Sequence, residues 1–284
     1  MTDATRAQHF VSAPALAALL AGPARPVILD VGVPDKGASA RDQYAQGHLP
    51  GAVSVDLATH LQAPSAGTAG KRPLPPLSVL QDQARGWGIS ADTPVVVYDR
   101  LAGTKAGRAW WVLRWAGLRD VRILDGGLAA WVRDGGAVTD GVPAPVPGNV
   151  TLSAGHLPQI TTERSVDFAQ QGRLFDARTR AQYADGHIPG ARWLSTRANL
   201  TEDGLLRDEQ WLRERFAAAG IDGSAEVGFY CGGAVAAAHE VAVLASIGIP
   251  ASLFVTSFGG WTADPTREVA VGQEPRVAHE RALP

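Results

Sequence analysis

One cysteine and one methionine are all the sulfur in this 284-residue chain. A lone thiol excludes an intrachain disulfide, and such sparing use of cysteine points to a reducing compartment, with the cytoplasm the expected location. Long apolar runs are missing as well. No stretch approaches the roughly 20 residues needed to cross a bilayer, and the N-terminus MTDATRAQHF has no apolar segment after its charges to serve as signal peptide or anchor. Neither sign of charge is in excess: 26 basic against 28 acidic residues leave a formal net charge of −2, which offers no electrostatic footprint for nucleic acid or an anionic membrane. The seven histidines show no His-x-x-x-His spacing and have no further cysteines to join, which argues against a dedicated zinc site. Gly126-Gly127 belongs to no Gly-x-Gly-x-x-Gly fingerprint, so no dinucleotide site is indicated.

Turn formers, by contrast, are plentiful. Thirty-two glycines and nineteen prolines suit many short strands alternating with helices, and the length is enough for two ordinary cores. The chain runs through one plan twice. Pro26-Val-Ile-Leu-Asp-Val31 is a strand in the first half, and residues 172–178, Gly-Arg-Leu-Phe-Asp-Ala-Arg, match it in the second. Tyr44-Ala-Gln-Gly-His-Leu-Pro-Gly-Ala52 returns almost residue for residue as Tyr183-Ala-Asp-Gly-His-Ile-Pro-Gly-Ala191. Later strands pair up in the same way: 52–55 with 191–194, 94–99 with 226–231, and 121–124 with 252–255. Helices are expected over 77–87 and 105–115 in the first half, and over 207–219 and 237–247 in the second. Between the halves, Gly141-Val-Pro-Ala-Pro-Val-Pro-Gly148 has three alternating prolines, which favour an extended, semi-rigid connector. The expected division is therefore a first domain over 1–140, a linker over 141–150 and a second domain over 151–284. Strands alternating with helices predict an α/β fold, a mostly parallel sheet with helices on both faces in each domain. The charged, poorly patterned tail from Pro265 is expected to lie on the surface or fray.

The chemistry is expected at Cys231. It falls on the turn between the strand ending Val227-Gly-Phe-Tyr230 and an alanine-rich helix, and in an open α/β sheet that turn is where sites form. Small residues there, Gly232, Gly233, Ala234, Val235 and Ala236, allow successive backbone N–H groups to curl inward, and the helix adds the positive end of its dipole. Such a cradle favours a thiolate, the nucleophilic form. The plainer role for a lone cysteine is a small buried hydrophobe. In the repeat, Asp99 occupies the place of Cys231, so one copy carries the thiol and the other a carboxylate.

Several stretches together carry a family resemblance: Asp-x-Arg followed by Gly-His-Ile-Pro-Gly-Ala, the earlier Gly-His-Leu-Pro-Gly-Ala, Leu124-Asp-Gly-Gly-Leu-Ala-Ala-Trp131 and the cysteine loop. From about Phe10 to about Gly272 the chain resembles two-domain sulfurtransferases of the rhodanese family. That resemblance implies tandem rhodanese-like domains, the first a catalytically inactive copy. It also implies a ping-pong reaction without metal or organic cofactor, in which Cys231 takes a sulfur from a small-molecule donor as a persulfide and yields it to cyanide, a thiol or a protein acceptor. Thiosulfate-using members typically follow the cysteine with Arg-Lys; those using 3-mercaptopyruvate follow it with Gly and then Ser or Thr. Gly232-Gly233 looks closer to the second branch, although Gly233 lacks the hydroxyl, Ala234 stands where Gly is usual and Ala236 where Thr is usual. In that branch an aspartate, a histidine and the loop serine cooperate; His48 matches the histidine, while Gly32 and Gly233 stand at the other two places. Arg178 matches a donor-binding arginine. A second one, expected one helical turn on, is replaced by Gln182 unless Arg180 serves.

Other roles compete for these residues. A guanidinium fork at Arg178 suits a carboxylate or sulfonate-like group, and equally a structural ion pair with Asp176. His48 and His187 precede Leu/Ile-Pro-Gly turns in both copies although only one copy has a thiol, which favours a structural role for both. Trp110, Trp111 and Trp115 stand at helical spacing and read as packing residues. Lys71-Arg72 follows a flexible stretch and reads as solvated charge, or as a loop that brings a cation over the cleft. Among rival functions, a cysteine phosphatase or arsenate reductase needs an arginine six positions after the cysteine, where Ala237 stands. A non-catalytic rhodanese-homology module that binds another protein is the remaining alternative.

Overall fold

Val95-Val-Val-Tyr98 is buried throughout, and its side chains alternate between two separate apolar clusters, Val95 and Val97 in one and Val96 and Tyr98 in the other. A strand covered on both faces in this way lies at the centre of a sheet sandwiched between helices. The structure is a computed structural model, and it describes residues 3–34, 37–65 and 67–272. The first half contains β1 (Phe10–Val11), β2 (Val27–Gly32), β3 (Val53–Asp56), β4 (Val95–Tyr98) and β5 (Val121–Leu124), in the order β1-β5-β4-β2-β3. The second half contains β6 (Leu174–Asp176), β7 (Arg192–Trp193), β8 (Val227–Tyr230) and β9 (Ala251–Leu253), in the order β7-β6-β8-β9. Every pairing between these strands is parallel. Where β1 flanks β5 in the first sheet, a single parallel bridge, Gln159 to Leu253, stands in the second.

Helices cover both faces. On the outer face of the first sheet, residues of helices Ala13–Ala21 and Gly127–Arg133 join Ile28, Val96, Tyr98 and Leu124; on the outer face of the second, Phe168 and Ala169 join Leu174 and Tyr230. The inner faces share one cluster. It runs from Val31, Val95 and Val97 through Trp110 and Val112 to Val241, Phe229 and Cys231, so the two halves have a common apolar core. Each large side chain sealed there is worth roughly 1.5–3 kcal/mol relative to exposure. The seam of this core is formed by helices Ala106–Trp115 and Ala236–Ser246, which approach closely at Gly107: a β-carbon there would lie 2.7 Å from the His239 Cα. Only glycine permits that contact.

The proline-rich connector has no regular structure, and its hydrogen bonds go outward to the first half: Gly148 N–H donates to Arg85 C=O at 2.8 Å and Val150 N–H to Ile89 C=O at 3.2 Å. Strand and helix limits differ from the sequence expectation by a few residues at most. The short helix Ala13–Ala21 and strand β1 carry no strong pattern and emerge only from the fold. The tail is partly held: Ala270 pairs with His187, and Gly272 N–H donates to Ala184 C=O at 2.8 Å. Residues 273–284 lie outside the described residues. No helix among the described residues is long and apolar enough to cross a membrane.

Candidate functional site

Alternation along β8 sends Tyr230 to the outer layer and Phe229 and Cys231 to the inner one. Cys231 follows the last residue of the strand and is 3% exposed; residues 232–235 turn the chain into helix Ala236–Ser246. The Val235 N–H donates to Cys231 Sγ at 3.2 Å. Ala234 makes the turn possible with φ +54, a conformation that costs a residue with a β-carbon about 1–2 kcal/mol. Ser257 holds the loop from behind. Its Oγ accepts the N–H groups of Cys231 (3.3 Å) and Ala234 (3.1 Å) and donates to Phe254 C=O (2.9 Å). The Phe258 and Gly259 amides donate to the carbonyls of Cys231 and Gly232. The five-residue ring of inward amides expected around the sulfur is thus narrower. Val235 reaches Sγ, Ala234 is taken by Ser257, and the amides of Gly232 and Gly233 have no hydrogen-bond partner among the described residues. A β-carbon at Gly232 would meet nothing within 4 Å, so the loop is open on that side.

The first repeat shows what the same turn does with an anion. Asp99, at the position of Cys231, is 1% exposed, and its carboxylate accepts four backbone N–H groups: Leu101 at 2.7 Å, Gly103 at 2.8 Å, Lys105 at 2.5 Å and Ala106 at 2.8 Å. Ala102 repeats the φ of Ala234 at +58, and the Gly103 amide bond to Asp99 corresponds to that of Val235 to Sγ. In the first copy the loop is an anion cradle filled by a fixed carboxylate, and the second copy places a sulfur at the same position.

Two predicted donor contacts need correction. His48 is completely buried, stacked on Tyr44 at 3.6 Å between centroids, with Nδ1 2.9 Å from Tyr44 C=O and Nε2 2.9 Å from Gly141 C=O. Both ring nitrogens are committed to backbone, so His48 does not serve the cysteine loop. His187 repeats the stacking on Tyr183 and the bond to its carbonyl. Arg178 is the structural ion pair rather than a donor arginine. Its Nε lies 2.9 Å from both carboxylate oxygens of the fully buried Asp176, its Nη2 donates to Asp176 Oδ2 (2.5 Å) and Gly186 C=O (2.6 Å), and its face lies 4.2 Å from the Phe258 ring. Burial works to lower its pKa, but the Asp176 carboxylate, joined by Tyr230 and Cys231, outweighs that and holds it above the usual arginine value. Arg180, half-buried at the start of helix Arg180–Asp185, lies 5.0 Å from the centre of the Trp193 ring. Gln182 caps the same helix with Thr179.

Sequence reasoning missed two contributors. Ser257 has no motif of its own; its place in the first repeat is taken by Gly127, which shares its positive φ. Arg108, on helix Ala106–Trp115 of the first half, is completely buried, and its Nε and Nη1 have no partner among the described residues. Its Nη2 donates to Arg72 C=O at 3.0 Å and Leu61 C=O at 3.3 Å. Burial pushes the guanidinium down to about 10, opposed by the charge of Cys231. No group of three or more metal-ligating side chains occurs among the described residues.

The rhodanese-like domain profile matches twice, over residues 12–134 and 162–264. A Mycobacterium tuberculosis protein provisionally named thiosulfate sulfurtransferase SseB is 39% identical over 281 residues, covering 94% of this chain and 98% of that one. A Pseudomonas aeruginosa protein provisionally named 3-mercaptopyruvate sulfurtransferase is 36% identical over 249 residues, covering 81% and 86%. The crystal structure of SseA from Escherichia coli, described as a 3-mercaptopyruvate sulfotransferase, superposes with a TM-score of 0.78 at 27% identity, over 88% of this chain and 98% of that one.

Proposed function

The chain belongs to the rhodanese-like family and is a two-domain sulfurtransferase, and from that premise we propose that Cys231 carries the moving sulfur as a persulfide. The supporting observation is the cradle: an amide on Sγ, two further unpaired amides beside it, and a twin loop that gathers four amides around a carboxylate. The Sγ thiolate attacks the outer sulfur of the donor. With thiosulfate the S–S bond breaks and sulfite leaves with the electron pair; with 3-mercaptopyruvate the C–S bond breaks and pyruvate leaves as its enolate, which takes up a proton. The terminal sulfur of the persulfide carries negative charge, and amides at Gly232, Gly233 and Val235 suit it through hydrogen bonding in a site of low dielectric. An acceptor, cyanide or a thiol on a small molecule or protein, then attacks that sulfur, and the Sγ–S bond breaks to restore the thiolate.

The first repeat has no nucleophile of its own, because Asp99 already fills its loop. The test is the intact mass of the purified chain after incubation with thiosulfate or 3-mercaptopyruvate. One added sulfur atom, lost on treatment with cyanide and absent from Cys231→Ser, is expected; no adduct with either donor would overturn the persulfide and favour a binding module.

A further inference from the structure

The Gly-Gly pair after Cys231 leaves the loop without a cation, although both donors considered above are anions. The structure supplies one from the other half of the molecule. Residues 67–73 of the first half lie directly on the second half's loop. A β-carbon at Gly259 would meet Lys71 Cγ at 2.6 Å, one at Gly233 would meet Lys71 Cβ and Arg72 Cγ at 3.4 Å, and one at Gly260 would meet Thr68 C=O at 2.6 Å. The stems of Lys71 and Arg72 therefore occupy the space that larger residues at 233 and 259 would need. They stand against Gly233 and Gly259, and the space beside Gly232 stays open.

This strap is held in place from beneath. Arg108 donates to the carbonyl of Arg72, Ala63 N–H donates to Pro73 C=O at 3.0 Å, and Arg72 Nη1 bonds Gln62 Oε1 at 2.7 Å. A β-carbon at Gly70 would lie 2.5 Å from Thr256 C=O, so the strap is also fitted to the backbone just before Ser257. Lys71 itself is exposed, and its ammonium has no hydrogen bond or ion pair among the described residues. A charge so placed has nothing among the described residues to answer it.

Resting on the sulfur-transfer reading for the identity of the ligand, we propose that Lys71 is the donor-recognising cation of this site, delivered across the domain seam by a strap that Arg108 and Arg72 position. The first domain thereby completes the second domain's specificity, and the short, uncharged loop after Cys231 is its counterpart. An ammonium on a flexible stem recognises the charge of a thiosulfate or carboxylate group without imposing one geometry on it.

Binding can be separated from chemistry by measuring thiosulfate affinity calorimetrically in Cys231→Ala, which cannot form a persulfide. Adding Lys71→Gln is expected to weaken binding about tenfold, adding Lys71→Arg to leave it within about twofold, and the native strap is expected to lose affinity as salt rises while the Lys71→Gln strap changes less. Thiosulfate bound as tightly with Lys71→Gln, or no measurable binding with the native strap, overturns the proposal. Persulfide loading of the native chain, measured alongside, judges the sulfur-transfer reading separately: loading with unchanged binding in Lys71→Gln removes Lys71 alone, and absent loading with charge-dependent binding removes the persulfide alone.

Discussion

Arg178 and Arg100 perform one task from different places in the repeat. Arg178 follows β6 and pairs with Asp176; Arg100 follows Asp99, at the position of Gly232, and pairs with Asp30 through Nη1 at 2.9 and 3.0 Å. Each arginine also bonds the carbonyl before a repeated histidine, Gly47 in one half and Gly186 in the other. Each aspartate has a buried tyrosine at its side, Tyr98 or Tyr230. Burial pushes the Asp30 carboxyl up, and Arg100 and Tyr98 counter it only in part. With its arginine at the end of β6 rather than in the loop after β8, the second half keeps the ion pair and leaves residue 232 to glycine. Arg178→Ala should therefore act on stability before it acts on donor use, because it strands a buried carboxylate at a cost of about 3–5 kcal/mol. A denaturant midpoint close to that of the native chain, with weakened donor binding, would return Arg178 to the donor site. The motif Asp-x-Arg was legible in the sequence; which anion its arginine meets was not, since both fit the same fork.

At the scale of the element, the strand-turn-helix around Cys231 was legible because buried strand, small residues and alanine-rich helix follow one another locally. Its support was not legible. Ser257 comes from the turn after β9 and meets the loop only because β9 pairs with β8. Ser257→Ala leaves the amides of Cys231 and Ala234 without their acceptor in a buried place, an expected cost of about 1–3 kcal/mol. Persulfide formation should slow by roughly tenfold as the loop loses its preorganised shape. Stopped-flow loading and a denaturation curve on one preparation check both. Native stability and native loading in that variant would reduce the Ser257 bonds to bystanders.

The whole molecule is held at the seam between helices Ala106–Trp115 and Ala236–Ser246. His239 is sealed there, with Nδ1 2.7 Å from Thr196 Oγ1 and Nε2 without a partner among the described residues, and burial pushes it down from 6.5 to about 4. Because the unfolded chain takes up a proton on this histidine before the folded one does, its contribution is complete above pH 6.5 and is lost as pH falls toward 4, by roughly 3 kcal/mol in all. Glu240 shifts upward, burial outweighing Arg215 and its other partners, and so works in the opposite direction on acidification. Comparing the native chain with His239→Gln isolates the histidine: the stability lost between pH 7 and pH 5 is expected to be smaller in the variant. Equal losses in the two would show that this imidazole does not titrate on unfolding.

The order of strands and helices, the doubling of the plan and the place of Cys231 at a strand-to-helix turn follow from the sequence, because each depends on neighbours a few residues apart or on one stretch copied into another. The company Cys231 keeps was decided by tertiary structure. Lys71 and Arg108 lie far from it along the chain, and only the packing of one half against the other, permitted by a missing side chain at Gly107, brings the strap that carries Lys71 onto its loop, while Ser257 arrives through the pairing of β9 with β8. A local pattern cannot encode such a meeting, for it arises from the shapes of two finished surfaces.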